Sequence, residues 1–294
     1  MRSARGYWGV LSDMREAAVR AAVTVAARLG LPCADPVVLA DGANVIVRLS
    51  PFPVVAKVAA STAVIRPDAA GSLQRELDVA GFLTAAGAPV LAPAAEVPAV
   101  VHRHAGRVMS FWRYVGHSDG PPPGEDVIGT MLRDLHHVLL AYRAPLPTLS
   151  PLDDIPALLA RPRTVLSDQD RTALTAAYSR LTESLAATAP DTQILHGDAG
   201  AGNLMRTAAG WIWHDFEDLC RGPVAWDVAA ATASPRFNRD LVLAAYVNLV
   251  DANMLDVCEQ LRRLHMTVWY VLYAERLPQH RQRAAELLAT WAPP

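Results

Sequence analysis

Residues 194–217 read I-L-H-G-D-A-G-A-G-N-L-M-R-T-A-A-G-W-I-W-H-D-F-E. Asp198 and Asn203 stand five positions apart in a glycine-containing loop. Asp215 follows two short apolar runs turned at Ala209-Gly210. Runs of that kind around a Gly pair as a β-hairpin. A hairpin here predicts that the chain brings the loop holding Asn203 back towards Asp215. Three oxygen-bearing side chains would then converge. Hard cations such as Mg²⁺ take oxygen ligands, commonly one or two protein groups completed by substrate phosphates.

Upstream, the sequence changes period. Pro36–Ala40, Val45–Leu49 and Val54–Ala59 are short β-branched runs, separated by D-G-A-N at 41–44 and S-P-F-P at 50–53. They predict a three-stranded antiparallel meander. Ser12–Leu29, with Ser12 as N-cap and Gly30 as stop, predicts a helix before it. A second helix is predicted to open at Gly71-Ser72 and end at Gly87. Pro98–Arg103 and Arg107–Tyr114 then form a hairpin around H-A-G. The Gly/Pro cluster at 116–124 reads as a linker. Beyond it Glu125–Tyr142, Asp153–Leu159, Asp168–Ala187 and most of 238–291 have helical composition.

The 294-residue chain is 52% hydrophobic and 19% charged, with a formal net charge of −2, which suits a folded core and argues against disorder. No basic cluster marks a nucleic-acid site. Ala17–Leu31 is interrupted by Arg20 and Arg28, unlike a signal peptide. Val79–Ala95 is broken by two Gly and two Pro, unlike a membrane span. Cys33, Cys220 and Cys258 form neither a disulfide framework nor a zinc spacing. These features predict a soluble, reduced, cytoplasmic protein. One residue stands apart: of 27 basic residues, Lys57 in V-V-A-K-V is the only lysine.

The pattern H-G-D-x-x-x-x-N followed by h-x-D-F-E resembles the aminoglycoside phosphotransferase and choline-kinase-like family, relatives of protein kinases. The meander, Lys57, the helix with Glu76, the linker and Trp226-Asp227 come in that family's order. The resemblance implies an α+β, two-lobed, protein-kinase-like fold. A small antiparallel lobe with one main helix, residues 1–115, would carry the nucleotide, and a larger helical lobe, residues 116–294, the catalytic and acceptor sites. It also implies a Mg²⁺-dependent transfer of the γ-phosphate of ATP or GTP to a hydroxyl of a small molecule such as an antibiotic, amino sugar or related metabolite. Aminoglycoside resistance and a regulatory pseudokinase are the narrower and the non-enzymatic alternatives. The partners implied are the nucleotide and the acceptor, with no nucleic acid or membrane, in a monomer or homodimer.

Carried over residue by residue, the resemblance gives these roles. Asp198 accepts or orients the acceptor's proton. Asn203 and Asp215 hold Mg²⁺. Lys57 contacts the α- and β-phosphates and pairs with Glu76. His196 braces the catalytic loop and Asp227 fixes its backbone from behind. Backbone groups of Gly42, Ala43 and Asn44 meet phosphate oxygens, and those near Trp112 and Tyr114 read the base edge. Glu217 reads as a nearby hydrogen-bonding residue. His102, His104, His136 and His137 have no metal spacing. Cys220 reads as a buried thiol, and Trp269, Tyr270 and Tyr273 as packing. From Glu217 onward acids and arginines nearly cancel, which weakens the case for a polycationic acceptor.

Overall fold

A computed structural model describes residues 4–66, 68–118, 125–161, 165–188, 190–233, 238–247 and 249–291. In chain order the first elements are α1 (Ala4–Arg28), β1 (Asp35–Asp41), β2 (Asn44–Ser50), β3 (Val54–Ala59), α2 (Ser61–Ile65), α3 (Ala69–Ala85), β4 (His102–His104) and β5 (Arg107–Arg113). Then come α4 (Glu125–Leu139), α5 (Asp154–Leu159), α6 (Asp168–Ala187), β6 (Gln193–Leu195), β7 (Leu204–Thr207), β8 (Gly210–Trp213) and β9 (Cys220–Gly222). The last are α7 (Ala225–Thr232), α8 (Arg239–Ala244), α9 (Ala252–Arg276) and α10 (Arg281–Ala289). The chain divides into two units, Met1–Gly120 with Leu204–Glu217, and Pro121–Asn203 with Asp218–Pro294.

The first unit is built on a five-stranded sheet in the order β1-β2-β3-β5-β4, with every neighbouring pair antiparallel. Strand side chains alternate between faces. Val45, Val47, Leu49, Val54, Ala56, Val58, Met109 and Phe111 therefore point one way, and pack on Ala18, Ala22, Val25 and Ala26 of α1. Ile46, Val55 and Trp112 point the other way, onto Leu77 and Ala80 of α3. The central strand β3 is thus buried on both sides along its whole length. Its one charged residue, Lys57, lies opposite Ile46 and Ser110 on the face that α3 covers.

The β7–β8 hairpin belongs to this unit. Leu91 N–H donates to the Trp213 carbonyl at 2.8 Å, and Trp213 N–H to the Pro89 carbonyl at 2.8 Å. The short apolar runs read from the sequence thus pair Leu204 with Trp213 through Thr207 with Gly210.

The second unit is mostly helical. The long α9 packs against α5, α6, α7 and α10. Its start is fixed by Asp251, whose carboxylate accepts the Met254 N–H at 2.9 Å, the usual N-cap arrangement. The two-stranded ladder β6–β9 brings the residues before His196 beside Cys220–Gly222.

Boundaries differ from expectation in three places. Helix α1 runs back through Ser12 to Ala4. Helix α3 starts at Ala69, because Asp68 supplies the cap and accepts the Gly71 N–H at 2.9 Å. Only His102–His104 of the run from Pro98 pairs with β5. Pro98 has no N–H to give a ladder, and its carbonyl instead accepts the Val100 N–H at 2.8 Å. The linker cluster lies outside the described residues from 119 to 124.

Candidate active site

In the first unit the site is organised by Lys57. Its Nζ donates to Glu76 Oε2 at 2.8 Å and Oε1 at 3.0 Å, and to Asp215 Oδ1 at 2.6 Å. Glu217 Oε2 lies at 3.0 Å. The Lys57 and Glu76 side chains are 7% and 2% exposed, so the ammonium is removed from water and neutralised by carboxylates. Burial alone would push the Lys57 pKa down. The fields of Asp215, Glu76 and Glu217 outweigh it and hold the pKa well above the usual lysine range. Burial pushes the Glu76 carboxyl up against the pull of Lys57, with Asp215 and Glu217 adding to the rise. Glu76, Asp215 and Glu217 each bring a carboxylate oxygen within 4.8 Å of the others, and Lys57 is their shared counter-ion.

Glu217 is held from further sides. Asn44 Nδ2 donates to its Oε2 at 2.7 Å and Arg66 Nη1 to its Oε1 at 3.2 Å. Asp215 itself has φ = 65°, a left-handed backbone that Asp tolerates better than most residues.

In the second unit the loop His196–Asn203 is pinned by Asp227. This fully buried carboxylate accepts the His196 N–H at 2.8 Å and the Gly197 N–H at 2.9 Å. His136 Nε2 lies 2.9 Å from the same carboxylate, and Tyr246 Oη lies 3.0 Å from His136 Nδ1. The Trp226 indole N–H donates to the Gly197 carbonyl at 2.8 Å. His196 is fully buried, and its Nδ1 accepts the Asp198 N–H at 3.3 Å. Asn203 Nδ2 donates to the Asp198 carbonyl at 2.7 Å and to its Oδ2 at 2.9 Å. The Asn203 amide spends its N–H groups on Asp198, which leaves its carbonyl oxygen as a hard donor. An amide oxygen is a ligand type that suits Mg²⁺.

A family of phosphotransferase enzymes, APH, has a sequence model that matches residues 37–261. The chain belongs to this phosphotransferase family. Its fold is protein-kinase-like. The amicoumacin kinase hAmiN, solved with AMP-PNP, Ca²⁺ and Ami, matches with TM-score 0.68 at 13% identity, covering 92% of each chain. The choline kinase LicA from Streptococcus pneumoniae gives TM-score 0.61 at 15% identity, over 91% of this chain and 98% of that one. The GDP and kanamycin complex of APH(2")-IIia gives 0.59 at 16%, over 88% and 93%. No curated relative matches the sequence.

In this phosphotransferase the D-G-A-N turn is tied to α2. Gly42 N–H donates to the Asn44 carbonyl at 3.1 Å, and Thr62 N–H to the Ala43 carbonyl at 3.3 Å. The Thr62 hydroxyl lies 2.7 Å from Asn44 Oδ1. Asn44 thus meets the site through its side chain, as the link between α2 and Glu217. At the end of β5, Trp112 donates its indole N–H to Ser110 Oγ at 2.8 Å, and Tyr114 N–H donates to the Pro53 carbonyl at 2.7 Å. The Tyr114 ring carries the Arg48 guanidinium 4.0 Å above its centroid.

Two residues of these clusters carry no signal in the sequence. Arg66 follows a short apolar helix and is one arginine among many. Arg262 is the second. It lies on α9 and forms an ion pair with Asp198. Among the described residues no helix is long and apolar enough to cross a membrane.

Proposed function

We propose that this phosphotransferase moves the γ-phosphoryl group of Mg²⁺-bound ATP or GTP to a hydroxyl of a small molecule, such as an antibiotic, an amino sugar or a related metabolite. The observation that carries this reading is the buried Lys57–Glu76 pair with Asp215 on the same ammonium. A lysine buried on a central strand with a helix carboxylate is the pair that presents an ammonium to phosphate oxygens in kinases. The structural neighbours include an amicoumacin kinase, a choline kinase and a kanamycin complex, which is consistent with a small acceptor.

In this reading Lys57 binds the α- and β-phosphates and Glu76 keeps it in place. Asp198 orients the acceptor hydroxyl and takes its proton. An Asp is a weak base towards an alcohol even at its ordinary pKa of about 3.9, and Asp198, although burial pushes it up, is held below that by Arg262. That suffices where the transition state is loose and positioning does most of the work. Asn203 and Asp215 hold Mg²⁺, which supplies charge neutralisation at the phosphates. His196 and Asp227 keep the loop in shape. The turn at Gly42, Ala43 and Asn44 borders the phosphates, and the strand end at Trp112–Tyr114 borders the base.

The test is turnover of ATP and GTP with Mg²⁺ over a panel of aminoglycosides, amino sugars, sugars and choline-like alcohols, with Asp198→Ala as control. Transfer by wild type and loss on the order of 10²-fold or more in the variant supports the reading. Nucleotide binding with equal inactivity of both proteins across the panel defeats it.

A further inference from the structure

Asp198 is held at both of its carboxylate oxygens. Oδ2 accepts from Asn203, five residues along the same loop, at 2.9 Å. Oδ1 accepts from Nη2 of Arg262, which reaches it from α9. Arg262 Nη1 donates to the Gly197 carbonyl at 3.1 Å, the same oxygen that takes the Trp226 indole N–H. The guanidinium carbon stands 5.1 Å from the centroid of the Trp226 ring. Trp226, Arg262, Asp198 and Asn203 thus close a ring of contacts around Gly197.

We propose that Arg262 is a positioning residue for phosphoryl transfer: it fixes the rotamer of Asp198 and cancels its charge, so that the acceptor hydroxyl meets an aimed and neutralised carboxylate. The proposal rests on the phosphotransfer reading above. A carboxylate gripped at one oxygen can swing about its side-chain bonds; one gripped at both cannot. A misplacement of about 1 Å at a reacting group costs roughly 10²-fold in rate. Arginine fits this post in full, and lysine only in part. The arginine's planar fork reaches a carboxylate and a carbonyl together and stacks on the indole, which a lysine ammonium does not do.

The arrangement is more than packing. A purely structural arginine would be spent on buried partners, whereas Asp198 is 39% exposed and Arg262 13%. Burial pushes the Asp198 carboxyl up, but the Arg262 charge and hydrogen bond outweigh it and hold the pKa below the usual range. The cost of desolvating the guanidinium is thus met by a group that remains open to the acceptor.

A charge consequence follows. Near this loop Asp227 is spent on two backbone N–H groups and His136, Glu259 on Arg239 and Thr232, and Asp218 adds its field at Arg262. With Asp198 neutralised by Arg262, it does not serve as an anchor for an acceptor ammonium. The acceptor class this favours carries a neutral or anionic group beside its hydroxyl.

The experiment compares wild type, Arg262→Ala, Arg262→Lys and Asp198→Asn for Mg²⁺-ATP turnover with water as acceptor, alongside nucleotide affinity by calorimetry. Arg262→Ala is expected to lose on the order of 10²-fold in kcat with nucleotide affinity within about threefold of wild type. Arg262→Lys, and guanidinium at a non-denaturing concentration added to Arg262→Ala, should each restore roughly tenfold. The proposal is overturned if Arg262→Ala keeps the wild-type kcat. It is equally overturned if the loss follows nucleotide affinity and neither Lys nor guanidinium restores it. If Arg262→Ala does not fold, Arg262→Gln, which keeps most of the stem and an N–H donor, carries the same comparison. Equal turnover by wild type and Asp198→Asn would instead strike the phosphotransfer reading itself.

Discussion

A Cβ placed on Gly197 would stand 1.8 Å from the carbonyl oxygen of Asp218. Gly197 also has φ = 89°, a conformation L side chains rarely adopt. The loop therefore passes the residue right after D-F-E at a distance only glycine permits. Gly197→Ala must move either the Asp218 backbone or the peptide that Asp227, Trp226 and Arg262 hold. The expected result is a loss of at least about 2 kcal/mol of stability, as for other strained backbone replacements, together with loss of turnover. Thermal melting and nucleotide hydrolysis check both. A variant that melts and turns over like wild type would show that the loop relaxes freely.

Lys57 answers three carboxylates at hydrogen-bonding range. Removing one partner of a buried ion pair leaves uncompensated charge and costs about 3–5 kcal/mol. Lys57→Met is expected to fall in that range by denaturant unfolding. Lys57→Arg keeps the charge, but a guanidinium is broader than the slot between Glu76 and Asp215 and spreads its donors in a plane. It should fold closer to wild type yet lose turnover nearly as far as Lys57→Ala. Near-normal kcat in Lys57→Arg would make the chain's only lysine an accident of composition.

The parts legible in the sequence are those encoded within a few residues. The spacing of Asp198 and Asn203, the hairpin before Asp215 and the lysine in an otherwise apolar strand each sit in one short window. The contacts that were not legible join distant windows. Arg66 meets Glu217 across 151 residues, and Arg262 meets Asp198 across 64. Helix α9 could be read as apolar and helical, but its neighbouring arginines look alike in sequence. Only the packing separates them, leaving Arg262 partly covered and Arg263 exposed. Asn44 shows the same limit: its place in the turn was readable, while its side-chain bond to Glu217 depends on residues 173 positions away.

Asp227 receives two backbone N–H groups and faces His136 with no exposure to solvent. Asp227→Asn turns one acceptor oxygen into an NH₂ that opposes one of these donors. A buried unsatisfied donor costs about 1–3 kcal/mol, more where a charged group is lost. The variant should lose at least about 2 kcal/mol in denaturant unfolding and lower kcat while leaving nucleotide affinity in place. Tyr246→Phe removes only the outer hydroxyl near His136 and should cost about 1 kcal/mol.

All three cysteines are buried and unpaired with one another. Burial pushes the Cys258 thiol up to about 12, and pushes Cys220 up as well, with Asp227 and Asp218 adding to the rise. The thiolate is the reactive form. Native protein at neutral pH should therefore react slowly with a thiol reagent, and all three cysteines should titrate on unfolding. Fast labelling of Cys220 in the native state would show that the segment after D-F-E opens on the time scale of the reaction.

Neutralisation of Asp198 by Arg262 also predicts how charged small molecules compete. Two opposite charges about 4 Å apart at an effective dielectric of about 20 interact by about 4 kcal/mol, so an acceptor ammonium gains little from Asp198 while the guanidinium is present. Choline and kanamycin should be weak inhibitors of Mg²⁺-ATP turnover by wild type. Arg262→Gln uncovers the carboxylate, and inhibition by both cations should strengthen at least about tenfold. Neutral alcohols of the same size should not change. The comparison reads an inhibition constant at each charge state, so it does not depend on knowing the physiological acceptor. Equal inhibition of wild type and Arg262→Gln by the cations would mean that Asp198 does not face the acceptor's charge, and that substrate choice is made elsewhere on the helical unit.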